Sequence, residues 1–218
     1  PDQESPINKM EKDPFKVLSP TAILGYGFPE RSFNRGIARQ PDLIAVDAGS
    51  TDPGPYYLGA GKSFTSRSAV KRDLKLILGG ALELSIPCVI GTAGGCGARE
   101  HVAWTEAIIQ EIARQNGYRF DMAVIYADVP KSRVLQALED GRVSPLHPAP
   151  EITAEEVERS VRIVAQMGAE PVMKALASGF KIVLCGRCYD PVPFAVPAIM
   201  KGFDPGLAYH LGKILECA

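Results

Sequence analysis

The sequence predicts an α/β fold: a mostly parallel, doubly wound sheet of about five strands with helices on both faces. Three observations predict it. Five short apolar runs have the length of buried strands, each leads into a loop rich in glycine, proline or aspartate, and segments with helical spacing of apolar residues separate them. Strands that alternate with helices are joined by right-handed crossovers, which make the strands parallel and cover both faces of the sheet.

The predicted strands are runs of four or five mostly apolar residues, the pattern of strands buried on both faces. They cover residues 21–24, 43–46, 87–90, 122–126 and 181–184. The first run ends at Gly25-Tyr-Gly27, and Pro29 suits the first turn of the helix that follows.

Helices are predicted by apolar residues three and four apart and by start and stop signals. Beyond the short helix after Pro29, the predicted helices cover residues 68–84, 99–115, 130–140, 170–178 and 194–217. Thr153 and Glu156 have the spacing of a capping box, which opens one more helix with Val157, Val161 and Val164 as its apolar stripe.

The composition argues against two classes of function. The 24 Lys and Arg residues are scattered among 25 Asp and Glu, with a net charge of −1, so no basic surface for nucleic acid is expected. No apolar run approaches the roughly 18 residues of a membrane span. A length of 218 residues fits one domain. We expect a flexible arm at residues 1–15 and a single α/β domain at residues 16–218.

The N-terminal residues and the cysteines predict a cytoplasmic protein. The first residues are polar and lack the apolar core of a signal peptide. The five cysteines are odd in number, which favours reduced thiols over a disulfide framework. Cys185 and Cys188 have the spacing of redox and metal sites, but His101, His147 and His210 show no pair spacing that would complete a zinc site. Incidental thiols are therefore favoured.

The loops after the strands predict the site, because the carboxyl ends of parallel strands lie at the same edge of the sheet. The richest loop is Asp47-Ala-Gly-Ser-Thr-Asp-Pro-Gly-Pro-Tyr-Tyr-Leu-Gly-Ala-Gly61. Its two carboxylates, Asp47 and Asp52, suit acid–base work or a divalent cation. The alternative is that both carboxylates cap backbone turns. The length of the loop favours function.

A glycine loop between a strand and a helix suits an anion, because the helix N-terminus carries a partial positive charge. A tight turn without ligand is the alternative, since Gly94-Gly-Cys-Gly97 lacks the ending of a P-loop and a full dinucleotide fingerprint. The predicted catalytic residues are Asp47, Asp52, Arg187 and Asp190. The predicted ligand-binding residues, all expected in one crevice, are Gly25, Gly27, Ser50, Thr51, Gly54, Gly94, Gly95, Cys96, Gly97 and Asp128.

Several segments carry a family resemblance. The run Ile44-Ala-Val-Asp-Ala-Gly-Ser-Thr-Asp-Pro-Gly-Pro-Tyr-Tyr-Leu-Gly59 resembles the acyclic terpene utilisation, or AtuA-type, family. The glycine loop and Gly186-Arg-Cys-Tyr-Asp-Pro191 match as well, and the resemblance spans about residues 17–218. Proteins of this kind usually continue further, so the chain resembles an N-terminal portion. The resemblance implies breakdown of acyclic terpenoid and related branched acids, carried as coenzyme A thioesters.

We expect a cytosolic enzyme domain that acts on a small anionic substrate, a carboxylate or acyl thioester. Its reaction would be proton abstraction next to a carbonyl or addition and elimination of water, as in a lyase, hydratase or isomerase. One alternative is a non-catalytic ligand-binding half that needs a second chain; another is a thiol-dependent redox protein using Cys96 or the Cys185/Cys188 pair. An apolar helix face containing Leu207 and Ile214 predicts contact with a second polypeptide or a homo-oligomer.

Overall fold

The computed structural model describes residues 13–217, so most of the predicted arm lies outside the described residues. Within this range the chain forms five strands and nine α-helices. In chain order these are β1 (Val17–Leu18), α1 (Glu30–Ile37), β2 (Leu43–Asp47), α2 (Tyr56–Ala60), α3 (Arg67–Leu84), β3 (Cys88–Gly91), α4 (Arg99–Asn116), β4 (Met122–Ile125), α5 (Lys131–Glu139), α6 (Ala154–Arg159), α7 (Glu170–Ala177), β5 (Ile182–Cys185), α8 (Val192–Met200) and α9 (Pro205–Leu215). No helix among them is both long and apolar enough to cross a bilayer.

The strands form one sheet in the order β1-β2-β3-β5-β4, and all neighbours are parallel. This confirms the predicted fold class. Asp47 at the end of β2 is level with Gly91 at the end of β3, and Ile90 is level with Leu184 of β5. The three central strands therefore end together, and the loops that follow them open at one edge.

Each face of the sheet carries its own core, because successive side chains of a strand point to opposite faces. Ile44 and Val46 belong to the core shared with α3 and α4, whereas Leu43 and Ala45 belong to the core shared with α7 and α8. Burial on both faces explains why the central strands are apolar throughout. Each fully buried Leu or Ile contributes about 1.5–3 kcal/mol relative to an exposed one.

The first predicted strand is wrong. Residues 21–24 form bends and turns, and the edge strand is instead β1, paired with β2. Leu24 donates its N–H to the carbonyl of Asp47 at 3.1 Å and is 1% exposed. The apolar character of this run therefore reflects a packed loop residue, because the chain turns at once through Gly25, whose φ is 103°.

The predicted apolar stripe after the capping box is also partly wrong. The capping box itself is confirmed, with reciprocal bonds between Thr153 and Glu156. The helix ends at Arg159, because Ser160 takes an extended conformation and its hydroxyl donates to the Glu156 carbonyl at 2.8 Å. Val161 is consequently 71% exposed, and Val164 forms an isolated β-bridge with Asp128.

A buried carboxylate on α3 holds the loop that follows β1. Asp73 is 1% exposed and accepts hydrogen bonds from the backbone N–H groups of Gly25 at 2.8 Å and Gly27 at 3.1 Å. Arg72 donates to the other oxygen at 2.8 Å. The amides of Gly25 and Gly27 are thus occupied within the chain, which leaves them no donor for the ligand that the sequence predicted.

We predict that Asp73→Ala lowers the free energy of unfolding by about 2 kcal/mol or more, because it leaves two backbone donors without their acceptor. Urea denaturation would measure the loss. Glu83→Ala, an exposed change on the same helix, is the matched control. Equal stabilities of the two variants would show that the loop does not depend on the carboxylate.

Candidate functional site

A cleft of about 440 Å³ opens at the carboxyl edge of the sheet. It lies where the loops after β2, β3 and β5 meet. Its lining residues are Ser50, Thr51, Gly54, Pro55, Leu58, Cys96, Val164, Gln166 and Arg187. A larger hollow of about 710 Å³ lies around residues 118–122, ahead of β4 at the opposite edge, and its ionisable side chains are exposed or half-buried. The strand-end cleft is the better candidate because it combines apolar walls with a buried charge.

The wall that contains Leu58 is clamped through its main chain. His101, which is 1% exposed, places Nε2 at 3.2 Å from the carbonyl oxygen of Tyr57 and 3.1 Å from that of Lys62. Arg162 donates from Nη1 to the carbonyls at positions 58 and 59 and forms an ion pair with Glu100. Since both contacts of Nε2 are to carbonyls, this nitrogen carries the proton. Burial lowers the pKa of His101, so it serves as a neutral clamp.

The glycine loop is folded largely upon itself. The N–H of Gly95 donates to the Thr92 carbonyl at 3.2 Å, and the N–H of Gly97 donates to the Ala93 carbonyl at 3.0 Å. A Cβ on Gly94 would lie 2.8 Å from the Cβ of His101, so this glycine allows α4 to approach. These contacts favour the tight-turn alternative over an anion cradle. Cys96 is the member of the loop that lines the cleft.

The positive end of α4 is occupied by a carboxylate of the chain itself. Asp128 Oδ1 accepts a hydrogen bond from the backbone N–H of Arg99 at 3.1 Å. An anion at a helix N-terminus is stabilised by the exposed N–H groups and the helix dipole. Asp128 therefore occupies the N-terminus of α4, where the sequence predicted an anionic ligand. The backbone of Asp128 is held in place by the β-bridge to Val164.

Arg187 is the buried cation of the cleft. It is 6% exposed, its Nη2 lies 2.8 Å from Asp190 Oδ1, and its backbone N–H donates to the Gly97 carbonyl at 3.1 Å. Its Nη1 is buried and has no hydrogen-bond partner among residues 13–217. Buried donors in native proteins are almost always paired. Nη1 is therefore available to an acceptor from outside the chain. His101 Nδ1 and Asp128 Oδ2 are the other buried side-chain atoms without a partner in the described part of the chain, and of the three residues only Arg187 lines the cleft.

Asp47 ends β2 and is 2% exposed. Burial, followed by the charge of Asp190, raises its pKa from 3.8 to about 8, against the lowering effects of Arg187, the Gly49 N–H and the Thr92 hydroxyl. Because this pKa is about 8, the carboxyl is mostly protonated at neutral pH. Asp47 is not among the residues that line the cleft.

Three carboxyl groups meet beside Arg187. Oxygens of Asp47, Asp190 and Glu216 lie within 4.8 Å of one another, a donor set that hard divalent cations use. Lys213 already contacts Glu216, and its Nζ lies 4.0 Å from Asp190. A metal ion would have to displace this ammonium group while Arg187 stays close, so the donor set fits an internal ion-pair network better than a cation site.

Thr92 holds a strained conformation at the end of β3. Its φ of 45° and ψ of 53° are left-handed, and the residue is fully buried. A β-branched residue in this region costs on the order of 1–3 kcal/mol. Its hydroxyl oxygen accepts from the Cys188 N–H at 3.4 Å.

The structure thus brings together part of the predicted set. Ser50, Thr51, Gly54, Cys96 and Arg187 line the cleft, and Asp47 and Asp190 lie next to Arg187. Asp52 is exposed, and its backbone N–H donates to the Ser50 hydroxyl oxygen at 3.1 Å, so Ser50 rather than the Asp52 carboxylate caps this turn. The Asp47 carboxylate does cap its own turn, because Oδ1 accepts from the Gly49 N–H at 3.3 Å.

Sequence reasoning missed seven residues of the site region. Four line the cleft and three lie near its carboxyl groups: Pro55, Leu58, Val164 and Gln166, and Thr92, Lys213 and Glu216. Thr92 stands among residues with positive φ, and a threonine in a run of glycines is the signal that could have found it. Lys213 and Glu216 are one turn apart near the end of α9, where an ion pair is expected. Gln166 lies in irregular chain and gives no such signal.

The cysteines offer little thiolate. Burial raises the pKa values of Cys88 and Cys188 to about 12, and it raises that of Cys185 well above its usual range. Burial also raises the pKa of Cys96, against the opposing effect of Arg187. Because the thiolate is the reactive form, these environments disfavour thiol chemistry.

Residues 69–218 match the family model described as acyclic terpene utilisation family protein AtuA. The matched part contains the glycine loop, Arg187, Asp190 and the Lys213–Glu216 pair. The Asp47 loop, which carried much of the resemblance in the sequence, lies outside it. No curated protein and no solved structure matches the chain.

We predict that Asp47→Asn flattens the pH dependence of stability. A folded-state pKa of about 8 against 3.8 means that the native state holds an extra proton between these values. The stabilising effect of that proton is complete below about pH 4 and is lost as the pH rises through about 8. The free energy of unfolding of Asp47→Asn, relative to that of the parent protein, should therefore be a few kcal/mol higher at pH 9 than at pH 5. Thermal unfolding at the two pH values would measure it.

The exposed Asp52→Asn variant is the control for this experiment, and its stability should follow that of the parent protein at both pH values. Parallel loss of stability in the parent and in Asp47→Asn would contradict the raised pKa.

Proposed function

Because the chain belongs to the acyclic terpene utilisation family AtuA, we propose that its strand-end cleft binds a small branched acyl compound and moves a proton at the carbon next to the carbonyl. The observation that carries this proposal is the free Nη1 of Arg187 in a cleft with apolar walls. An acyl group has the matching parts, a polar oxygen for the guanidinium group and a hydrocarbon chain for Leu58 and Val164.

The balance of charge favours a neutral carbonyl at Arg187. Arg187 is paired with Asp190 and Lys213 with Glu216, while Asp47 is mostly protonated at neutral pH. The cluster is therefore close to neutral. A ligand carboxylate placed about 4 Å from Asp190 would meet a repulsion of about 4 kcal/mol at an effective dielectric constant near 20, which offsets much of its attraction to Arg187. A thioester, ester or amide oxygen accepts from Nη1 without this penalty.

The same groups supply the chemistry. Asp47 is buried and protonated, whereas Asp190 is half-buried and held in ion pairs. Two carboxyl groups in such different environments provide an acid and a base. In the proposed reaction Asp190 takes a proton from the carbon next to the carbonyl, and Arg187 stabilises the oxyanion that forms. Asp47 then gives a proton to a carbon further along the acyl group, as in an isomerase. Loss of a hydroxyl group instead would make the reaction a dehydration.

A non-catalytic binding role is the second candidate. It is favoured by the positions of Asp47 and Asp190, because neither carboxyl is among the groups that line the cleft and Arg187 is the charged residue that does. Proton exchange separates the two roles, because a binding module would hold the ligand without exchanging its hydrogens.

We predict that the N-acetylcysteamine thioester of 3-methylbut-3-enoic acid, a branched acid with hydrogens on the carbon next to the carbonyl, binds the full chain. Arg187→Gln should weaken binding by roughly 10-fold or more, as expected for loss of a charged hydrogen-bond donor. Calorimetry would measure the affinity. The exposed Arg133→Gln is the matched control. Equal affinities of the two variants would remove Arg187 from the site.

We further predict that the protein exchanges hydrogens of this thioester with deuterium oxide and that Asp47→Asn and Asp190→Asn each slow exchange by about 100-fold. Mass spectrometry of the recovered ligand would measure the rate, and Asp52→Asn serves as the control. Binding without exchange would leave the non-catalytic role.

We also propose a second polypeptide against α9. Leu207 and Ile214 are 72% and 55% exposed, and Leu211 lies between them at helical spacing. We predict that the parent protein is larger than one chain by sedimentation and that Leu207→Gln with Ile214→Gln reduces its mass to that of the monomer without lowering the melting temperature. A monomeric parent protein at micromolar concentration would contradict a homo-oligomer.

A further inference from the structure

The last turn of α9 is fixed beside the loop that carries Arg187. Gly212 packs against Pro191, because a Cβ on Gly212 would lie 2.6 Å from the carbonyl oxygen of Pro191. At the end of the helix, the Ser19 hydroxyl donates to the Leu215 carbonyl at 3.0 Å. No residue of α9 lines the cleft. The side chains of this turn therefore act on the cleft through the loop after β5.

Lys213 projects from this turn towards Asp190. Its Nζ forms an ion pair with Glu216 and lies 4.0 Å from Asp190 Oδ2. Glu216 is 7% exposed and holds the ammonium group beside the loop. The hydrogen bond with Glu216 raises the pKa of Lys213, so this side chain stays charged at neutral pH.

Asp190 thus lies between two cations, with one oxygen towards each. Oδ1 accepts from Arg187 Nη2 at 2.8 Å, and Oδ2 faces Lys213. An arginine and a carboxylate frequently form a bidentate pair, in which two N–H groups donate to the two oxygens. That pair would use Nη1 as well as Nη2. The single contact found here leaves Nη1 without a partner among residues 13–217.

We propose that Lys213 is a positioning residue: it draws Asp190 Oδ2 away from Arg187 and so keeps Nη1 free for the ligand. The proposal rests on the assignment of Nη1 to the ligand carbonyl and deepens it. Without the ammonium group, Oδ2 loses the cation that it faces, and the nearby Glu216 carboxylate repels it. Asp190 then closes the bidentate pair with Arg187, and a ligand must compete with a carboxylate for Nη1.

The first test is structural and needs no ligand. Lys213→Met keeps an unbranched side chain and removes the charge. Because the Lys213 side chain is 57% exposed, the melting temperature should stay close to that of the parent protein. A crystal structure of the variant should show Asp190 Oδ2 within hydrogen-bond distance of Arg187 Nη1. A variant in which Nη2 alone still contacts Asp190 would overturn the proposal.

The second test measures the affinity of the full chain for the N-acetylcysteamine thioester of 3-methylbut-3-enoic acid by calorimetry. Lys213→Met should weaken binding by roughly 10-fold, because the carbonyl oxygen competes with a charged acceptor for Nη1. The thioester is uncharged, so the loss of a positive charge has little direct effect on it.

Two further variants control this measurement. Lys213→Arg restores the charge and should bind with the affinity of the parent protein. Lys201→Met, a change at an exposed lysine just after α8, is the matched control. Equal affinities of Lys213→Met and Lys201→Met would contradict the proposal, and so would a loss of affinity that Lys213→Arg does not restore.

The two tests separate this proposal from the proposed function. If the thioester does not bind the parent protein but the bidentate pair forms in Lys213→Met, the ligand assignment fails and the role of Lys213 in the ion pair stands. If the thioester binds through Arg187 but Lys213→Met keeps both the single contact and the affinity, the site stands and Lys213 has no part in positioning it.

Discussion

The burial of a carboxyl group at the end of β2 is the constraint on which the rest of the site depends. Asp47 continues a fully buried strand, so the fold that packs Leu43–Asp47 between two cores also removes this carboxyl from water. A buried charge is tolerated when it is neutralised or paired. The chain meets this condition with a raised pKa, which the charge of Asp190 increases, and with the nearby cation Arg187 from the loop after β5.

The order of the strands determines how this constraint is met. Because β3 lies between β2 and β5, the groups that balance Asp47 must reach across the end of β3. The strained turn at Thr92 and the glycines after it keep the loop after β3 compact, so that the distance across the end of β3 is short. Gly97 packs its backbone against Arg187, because a Cβ on Gly97 would lie 2.0 Å from the backbone nitrogen of Arg187. The glycine loop therefore brings two strand ends together.

The fold was largely predictable from the sequence, because four of the five apolar runs are strands and their burial is what makes them apolar. The run at residues 21–24 misled for the same reason: Leu24 is buried, but in a turn that local pattern does not distinguish from a strand. At the site, Arg187 and Asp190 were predictable as charges at a strand end. The roles of Gly25, Gly27 and Asp128 were not, since Asp73 and the N-terminus of α4 engage them across 29 to 48 positions of sequence.

The clamp on the cleft wall has a consequence for how relatives of this protein could diverge. His101 and Arg162 contact carbonyl oxygens of the segment around α2, which every amino acid provides, and make no use of the side chains at Pro55 or Leu58. Selection can therefore exchange those side chains and reshape the apolar surface of the cleft while the wall keeps its position. Because the wall is anchored by its main chain, a single substitution can change the shape of the pocket without weakening the contacts that hold the wall. New substrate ranges can evolve in this way.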